Sequence, residues 1–187
     1  MFERELILGG QKSGKSRRAE LTAATWLAAS PLRDAVLIAT AQPWDDEMRE
    51  RIARHQEERA QRVPGLRTVE EPLALAEAIA MHSAPQTLVL VDCLTLWLTN
   101  RLMPMPDAEA SAESPEDAIA ALLAALVDAR GPVVLVGNEI GLGVIPMGRE
   151  VRAFVDALGR LNQSVAAACD RVTLMVAGLP LTLKEPA

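Results

Sequence analysis

The feature that most constrains this chain is a glycine-rich turn directly after its first apolar segment. The aliphatic run at 6–8 is typical of a short buried strand, and it leads into Gly9-x-x-x-x-Gly14-Lys15-Ser16. This is the complete P-loop pattern, in which backbone N–H groups and the positive end of the next helix surround a polyphosphate. Glycines allow the close backbone approach that such a loop needs. The sequence therefore predicts a strand–loop–helix unit that binds nucleoside polyphosphates.

A second motif supplies a carboxylate for the same site. Residues 87–92, Thr-Leu-Val-Leu-Val-Asp, form an aliphatic strand that ends in Asp92, which is the Walker B form. In P-loop proteins the lysine reaches the β- and γ-phosphates, while the serine hydroxyl and the Walker B aspartate hold Mg²⁺. We therefore expect Lys15 to contact phosphate, and Ser16 and Asp92 to be the Mg²⁺ ligands.

The length and the order of the predicted elements favour one domain. A chain of 187 residues, half of them hydrophobic, is long enough for one well-packed core and too short for two. Short aliphatic runs alternate with helical patterns along its whole length. This alternation predicts an α/β fold, with a mostly parallel sheet and helices on both faces, over residues 1–187.

Charge and composition argue against several classes of partner. The net charge is −6, and the chain has two Phe, three Trp and no Tyr, so nucleic-acid binding is disfavoured. Cys93 and Cys169 lie far apart in the sequence and are interpreted as buried free thiols in a reducing compartment. The charged N-terminus does not have the pattern of a signal peptide. No apolar run reaches the length of a membrane span, and we expect a cytoplasmic protein.

The charged segment 45–62 is predicted to be a helix with one distinctive face. Met48, Ile52, His55 and Arg59 follow helical spacing, which predicts that His55 lies on the side facing the protein, with Arg59 one turn further on. Two interpretations remain open on these grounds. His55 is either a histidine at the edge of a packing stripe or an imidazole that faces a phosphate. His82, in contrast, reads as a solvated residue at the end of a helix.

Two other segments carry functional hypotheses. The region 103–115 is rich in proline and acidic residues and is the best candidate for a mobile loop. A glycine-rich loop at 138–146 precedes a long helix with a basic face formed by Arg149, Arg152 and Arg160. We expect this face to contact an anionic product or a neighbouring subunit, and the alternative is an ordinary solvated helix face.

These motifs together resemble the bifunctional adenosylcobinamide kinase/adenosylcobinamide-phosphate guanylyltransferase family of cobalamin biosynthesis. The match extends over nearly the whole chain, and its specific blocks are Asp46-Glu47-Met48-x-x-Arg51-Ile52-x-x-His55-x-x-x-Arg59, Asn138-Glu139-x-Gly141-x-Gly143 and Gly159-Arg160-x-Asn162-Gln163. The resemblance departs at 60–66, Ala-Gln-Arg-Val-Pro-Gly-Leu, where the family often has a tryptophan and a shorter connection. A contact made through that tryptophan is therefore not expected here.

The resemblance implies a RecA-like P-loop domain with two activities. The enzyme would phosphorylate adenosylcobinamide with ATP or GTP, and then transfer GMP from GTP to the corrinoid phosphate through a guanylyl group on His55. Imidazole is a competent nucleophile for such a covalent step. It also implies a homo-oligomer, a trimer. By resemblance the nucleotide-binding residues are Gly9, Gly10, Gln11, Lys12, Ser13, Gly14, Lys15, Ser16, Thr40, Ala41, Gln42, Gln56, Glu57, Glu58, Arg59, Glu70 and Asp92.

Two other functions remain possible from the sequence. The first is a small-molecule P-loop kinase in which His55 is only structural. The second is a nucleotide-dependent regulatory switch without a small-molecule substrate. The chain has no Asn-Lys-x-Asp guanine-specificity motif, which counts against an ordinary GTPase switch.

Overall fold

The structure is a computed structural model that describes residues 3–43, 45–104 and 113–186. Its strands are β1 (Arg4–Gly9), β2 (Asp34–Ala39), β3 (Leu66–Glu70), β4 (Thr87–Asp92), β5 (Val133–Asn138), β6 (Arg171–Val176) and β7 (Leu179–Lys184). Its helices are α1 (Lys15–Ala28), α2 (Asp46–Arg62), α3 (Leu75–His82), α4 (Leu94–Leu102), α5 (Pro115–Asp128) and α6 (Arg149–Ala168).

The strands form one seven-stranded sheet in the order β3-β2-β4-β5-β1-β6-β7. β1 pairs in parallel with β5 and β6, β2 with β3 and β4, and β4 with β5. Among the strands of the described residues only β7 is antiparallel, and it pairs with β6. The carboxyl ends of the parallel strands therefore meet at one edge, where open α/β sheets hold their ligands. The P-loop follows β1 at this edge, and Asp92 ends β4 two strands away.

Helices cover the two faces of the sheet unequally. One face packs mainly on α1, through Ala19, Ala23 and Trp26, with Val63 at the end of α2. The other face packs on α3, α4, α5 and α6, and it holds the larger core cluster. The central strands are buried on both faces, as expected for parallel strands between two helical layers. In contrast, all of β7 is exposed.

The structure confirms the predicted α/β fold and corrects some boundaries. Pro72, a residue favoured in the first turn of a helix, predicts a helix from there to about Met81. The structure places the start of α3 at Leu75, because the Glu71 side chain accepts hydrogen bonds from the Leu73 and Ala74 N–H groups in a preceding turn. The sequence Leu-Thr-Leu-Lys at 181–184 predicts a short edge strand, and the structure contains it as β7, which begins earlier, at Leu179. Most of the loop predicted to be mobile lies outside the described residues, which omit 105–112.

Two smaller predictions can also be compared with the structure. Cys93 and Cys169 are buried free thiols, as expected, and burial raises their pKa values to about 11 and about 12. Within the described residues, no helix is long and apolar enough to cross a bilayer.

Candidate active site

The P-loop adopts a conformation that ordinary residues rarely take. Lys12 and Gly14 have positive φ values of 55° and 99°, and a left-handed residue other than glycine is often found at functional sites. Gly9 leaves no room for a side chain, since a Cβ there would lie 2.5 Å from the Met175 carbonyl oxygen. Gly178 in the β6–β7 turn donates its N–H to the Ser13 carbonyl oxygen at 3.1 Å. The end of β6 and the β6–β7 turn thus pack directly against the loop.

Lys15 is a largely buried cation folded onto this loop. Its side chain donates a hydrogen bond to the Gly10 carbonyl oxygen at 2.6 Å. Burial lowers the pKa of Lys15, and the nearby Cys93 and Asp92 act in the opposite direction. The ammonium therefore lacks a full counter-charge, which an anion in the loop would supply.

The two predicted Mg²⁺ ligands lie at the same edge of the sheet. Ser16 is in the first turn of α1, and Asp92 is partly buried at the end of β4, between Ala39 and Val136 of the neighbouring strands. No group of three or more His, Cys, Asp or Glu side chains in the described residues could hold a metal ion on its own. One carboxylate and one hydroxyl still suit Mg²⁺, which usually keeps several waters and binds substrate phosphates as well.

Thr40 has a structural position behind the crevice. It is fully buried, and its hydroxyl donates to the Cys93 carbonyl oxygen at 2.7 Å and accepts from the Cys93 N–H at 2.8 Å. Asn100 donates to the Thr40 carbonyl oxygen. These bonds join the ends of β2 and β4, so Thr40 shapes the site where Ala41 and Gln42 are partly exposed.

The candidate nucleophile lies on α2, and its side chain is exposed although its spacing places it on the face of the helix that contacts the protein. Met48 and Ile52 are partly buried and Arg59 is buried, but His55 is exposed. The helical spacing is correct, and the difference arises because α2 reaches the rest of the chain mainly through its last turns. Gln56 donates a hydrogen bond to Glu70 at 3.0 Å, which brings two of the predicted binding residues together beside His55.

A buried glutamate that sequence reasoning missed joins α1 to α2. Glu20 is only 5% exposed and forms ion pairs with Arg59 at 3.6 Å and with Arg62 at 2.6 Å. Arg62 also pairs with Glu58 on its own helix. The sequence does show that Glu20 lies next to the apolar stripe of α1. It does not show the partners of Glu20, because Arg59 and Arg62 lie on a different helix, 39 and 42 positions further along the chain.

The glycine-rich loop after β5 adjoins the P-loop and is held from α6. The Glu139 N–H donates to the Gly9 carbonyl oxygen at 3.1 Å. Arg152 donates to the carbonyl oxygens of Pro146, at 2.9 Å, and of Met147. This part of the predicted basic face therefore has a partner within the chain, whereas Arg149 and Arg160 are exposed.

A family model described as cobinamide kinase / cobinamide phosphate guanyltransferase matches residues 5–183. The chain belongs to this family. The match includes the P-loop, the whole of α2 with His55, and the loop before α6. The resemblance that the sequence motifs indicated is thereby confirmed.

Curated relatives of similar length support the same assignment. The chain is 49% identical to a bifunctional adenosylcobalamin biosynthesis protein, CobP, of Pseudomonas aeruginosa, over 98% of this chain and 99% of that protein. It is 36% identical to the bifunctional adenosylcobalamin biosynthesis protein CobU of Escherichia coli K12, over 96% of this chain and 98% of that one. The corresponding protein of Salmonella typhimurium is 37% identical over the same shares.

A distant solved structure has the same architecture. The flagellar accessory protein FlaH of Methanocaldococcus jannaschii aligns with a TM-score of 0.54 at 10% identity, over 98% of this chain and 79% of that one. The likeness concerns the fold alone, and it confirms the RecA-like P-loop fold that the family resemblance implied.

Proposed function

We propose that this chain is a bifunctional enzyme of cobalamin biosynthesis that phosphorylates adenosylcobinamide and then attaches GMP to the phosphate. The observation that carries the proposal is the combination of a P-loop with an exposed histidine on the adjoining helix α2, within a chain that matches the family along almost its entire length. Both reactions need a nucleoside triphosphate, ATP or GTP for the first and GTP for the second.

In the first reaction the P-loop positions the triphosphate. Its N–H groups and Lys15 bind the β- and γ-phosphates. The corrinoid hydroxyl attacks the γ-phosphorus and gives up its proton to water, the bond to the β-phosphate oxygen breaks, and the nucleoside diphosphate leaves. Mg²⁺, held by Ser16 and Asp92, would neutralise charge on the phosphate oxygens. The buried Ser13 hydroxyl has no hydrogen-bond partner among the described residues, and this supports a phosphate in the loop because the phosphate would provide the missing partner.

In the second reaction His55 acts as a nucleophile. A ring nitrogen attacks the α-phosphorus of GTP, a P–N bond forms, the bond to the β-phosphate oxygen breaks, and diphosphate leaves. An oxygen of the corrinoid phosphate then attacks the same phosphorus and releases the imidazole. The covalent intermediate divides one difficult transfer into two easier ones. The other nucleotide contacts proposed for this step are Gln56, Glu57, Glu58, Arg59 and Glu70, with Ala41 and Gln42.

The two reactions can be separated by one substitution. We expect His55→Ala to abolish GMP transfer and to retain most of the phosphoryl transfer, because the latter requires no protein nucleophile. The measurement is labelling of the purified protein by α-labelled GTP with Mg²⁺, followed by acid and base treatment of the adduct. A phosphoramidate is labile in acid and stable in base. Corrinoid phosphorylation is followed in parallel.

The matched control is His82→Ala, since His82 ends α3 in a different part of the chain. It should leave both activities unchanged. A GMP adduct in His55→Ala, or its loss in His82→Ala, would show that the assignment is wrong. Normal phosphorylation without any adduct in the unmodified protein would favour the kinase without guanylyl transfer.

We further propose that the enzyme works as a homo-oligomer, a trimer, in the cytoplasm. The exposed edge strand β7 supports the oligomer because it carries Leu179, Leu181 and Leu183 at 71%, 54% and 56% exposure. Apolar edge strands of this kind are usually covered. The two free thiols support a reducing compartment.

A further inference from the structure

The buried ion pairs of Glu20 form the main polar connection between the P-loop helix and the helix that carries His55. The carboxylate is 5% exposed and Arg59 is 7% exposed. Burying such charges is unfavourable unless each one is paired. Here one carboxylate from α1 is shared by two guanidinium groups from α2, at 3.6 Å and 2.6 Å. Arg59 also donates to the Thr68 hydroxyl of β3 at 3.4 Å.

The positions of these residues along their helices relate the pair to the chemistry. Glu20 lies five residues after Lys15, so about 7.5 Å of helix separates it from the phosphate-binding end of α1. Arg59 lies four residues after His55, which is about one helical turn. The ion pair therefore holds α1 against α2 at a point that lies within two helical turns of Lys15 and about one turn of His55.

The remainder of α2 is held less firmly. His55, Gln56 and Glu57 are exposed, and the hydrogen bond between Gln56 and Glu70 joins two exposed side chains. Exposed contacts of this kind restrain a helix weakly. The orientation of α2 over the carboxyl edge of the sheet thus depends strongly on its anchored end.

We propose that Glu20 is a positioning residue for guanylyl transfer: through Arg59 and Arg62 it sets where His55 stands relative to the triphosphate in the P-loop. The inference rests on the function proposed above. Glu20 itself contacts neither the nucleotide nor the imidazole. Its influence on phosphoryl transfer to the corrinoid should be small, because that reaction uses the P-loop and not α2.

The test compares the two reactions in Glu20→Gln. This variant keeps the size of the side chain and removes its charge. We expect the single-turnover rate of protein labelling by α-labelled GTP to fall at least tenfold, with corrinoid phosphorylation reduced less than threefold. The KM for the triphosphate in phosphorylation should be unchanged. Glu20→Asp, which keeps the charge on a shorter side chain, should recover part of the labelling rate.

The control removes an ion pair of another kind. Asp34→Asn breaks the pair of Asp34 with Arg67, 2.6 Å apart between β2 and β3, at the amino end of the strands. It should leave both rates unchanged. If Glu20→Gln does not fold, as judged by a thermal melt, Arg62→Gln replaces it, because Arg62 is 40% exposed and its loss leaves the pair of Glu20 with Arg59. A selective loss of labelling is again expected, of smaller size because Arg59 still pairs with Glu20.

The outcomes distinguish this inference from the proposed function. No labelling of the unmodified protein would overturn the proposed function and the role of Glu20 with it. Normal labelling of the unmodified protein together with undiminished labelling of Glu20→Gln, or of Arg62→Gln in its place, would overturn only the role of Glu20. An equal loss of both reactions would also overturn it, since this is the result expected of a residue that merely stabilises the fold.

Discussion

At the scale of single residues, Lys15 combines a functional advantage with a cost to stability. Its ammonium is largely buried on the P-loop, where burial lowers its pKa below the usual value of 10.5. The charged form is therefore less favourable in the unliganded native protein than in the unfolded chain. A bound polyphosphate reverses this balance, because it supplies the counter-charge.

The first prediction concerns Lys15→Met. Both reactions should slow at least tenfold, because a hydrogen bond to a charged group contributes about 1.5–3 kcal/mol. The free energy of unfolding of the unliganded protein at pH 7 should instead rise by about 0.5–2 kcal/mol, the usual gain when a functional strain is removed. Assays of both reactions and a denaturant titration test the two parts. Unchanged rates would contradict a shared phosphate site.

The second prediction concerns how the lowered pKa of Lys15 makes the free energy of unfolding depend on pH. Between the lowered pKa of native Lys15 and 10.5, this residue binds more protons in the unfolded chain than in the native protein, so its own contribution to the free energy of unfolding should rise with pH. The advantage of Lys15→Met should therefore be present at pH 7 and shrink as the pH approaches 10.5. Thermal melts of both proteins over this range check it, and a constant difference would show that the ammonium is not responsible.

The third prediction concerns Asp92→Asn. An Asp at a strand end that faces a metal is not a packing residue, so the substitution should raise the Mg²⁺ concentration needed for activity more than it lowers the melting temperature. A Mg²⁺ titration of phosphorylation beside a thermal melt decides the matter. A collapsed melt with unchanged metal dependence would make Asp92 a structural residue.

Single residues also show which features of the site can be predicted from the sequence. The P-loop and the end of β4 were predictable, because their chemistry is local and their spacing is short. The exposure of His55 was not, because helical spacing identifies the residues that share a face but not what covers that face. Glu20 was missed for a related reason: its arginine partners lie on another helix, and only the packing of α2 on α1 brings them together.

At the scale of elements, α2 and the loop before α6 are largely exposed, and a few side chains hold each of them to the rest of the chain. α2 is anchored through Glu20 and through the buried Val63 beyond its last turn. The segment 60–66 ends α2 and turns at Gly65 into β3.

The fourth prediction concerns the loop before α6. Arg152→Ala removes the hydrogen bonds to the carbonyl oxygens of Pro146 and Met147, so amide hydrogen exchange over 141–147 should increase. The stability of the whole domain should change by no more than about 1 kcal/mol, because the loop lies outside the core. The control is Arg149→Ala, whose side chain is exposed. Equal exchange in both variants would show that Arg152 does not hold the loop.

At the scale of the whole molecule, the exposed apolar surface is unevenly distributed. The loop before α6 exposes Leu142, Val144, Ile145 and Met147, and β7 exposes its three leucines. α6 lies between these two regions in the chain, and its C-terminal end accepts hydrogen bonds from Lys184 of β7. Apolar surface of this kind marks contact with a partner, and an uncovered edge strand adds free backbone groups that a second chain can pair with.

The last prediction follows from this surface. The unmodified protein should have a mass in solution of about 60 kDa, three times the 20.1 kDa of the chain, as expected for a trimer. Leu181→Glu places a charge on the exposed face of β7, where an apolar contact would bury it at a cost of several kcal/mol. It should lower the mass to that of one chain with little effect on folding of the domain.

Leu32→Glu is the matched control, because Leu32 is equally apolar and 79% exposed in the turn before β2. Light scattering of the three proteins at equal concentration provides the test. A trimer that persists in Leu181→Glu would mean that β7 lies outside the interface, and a single-chain mass for the unmodified protein would contradict the trimer itself.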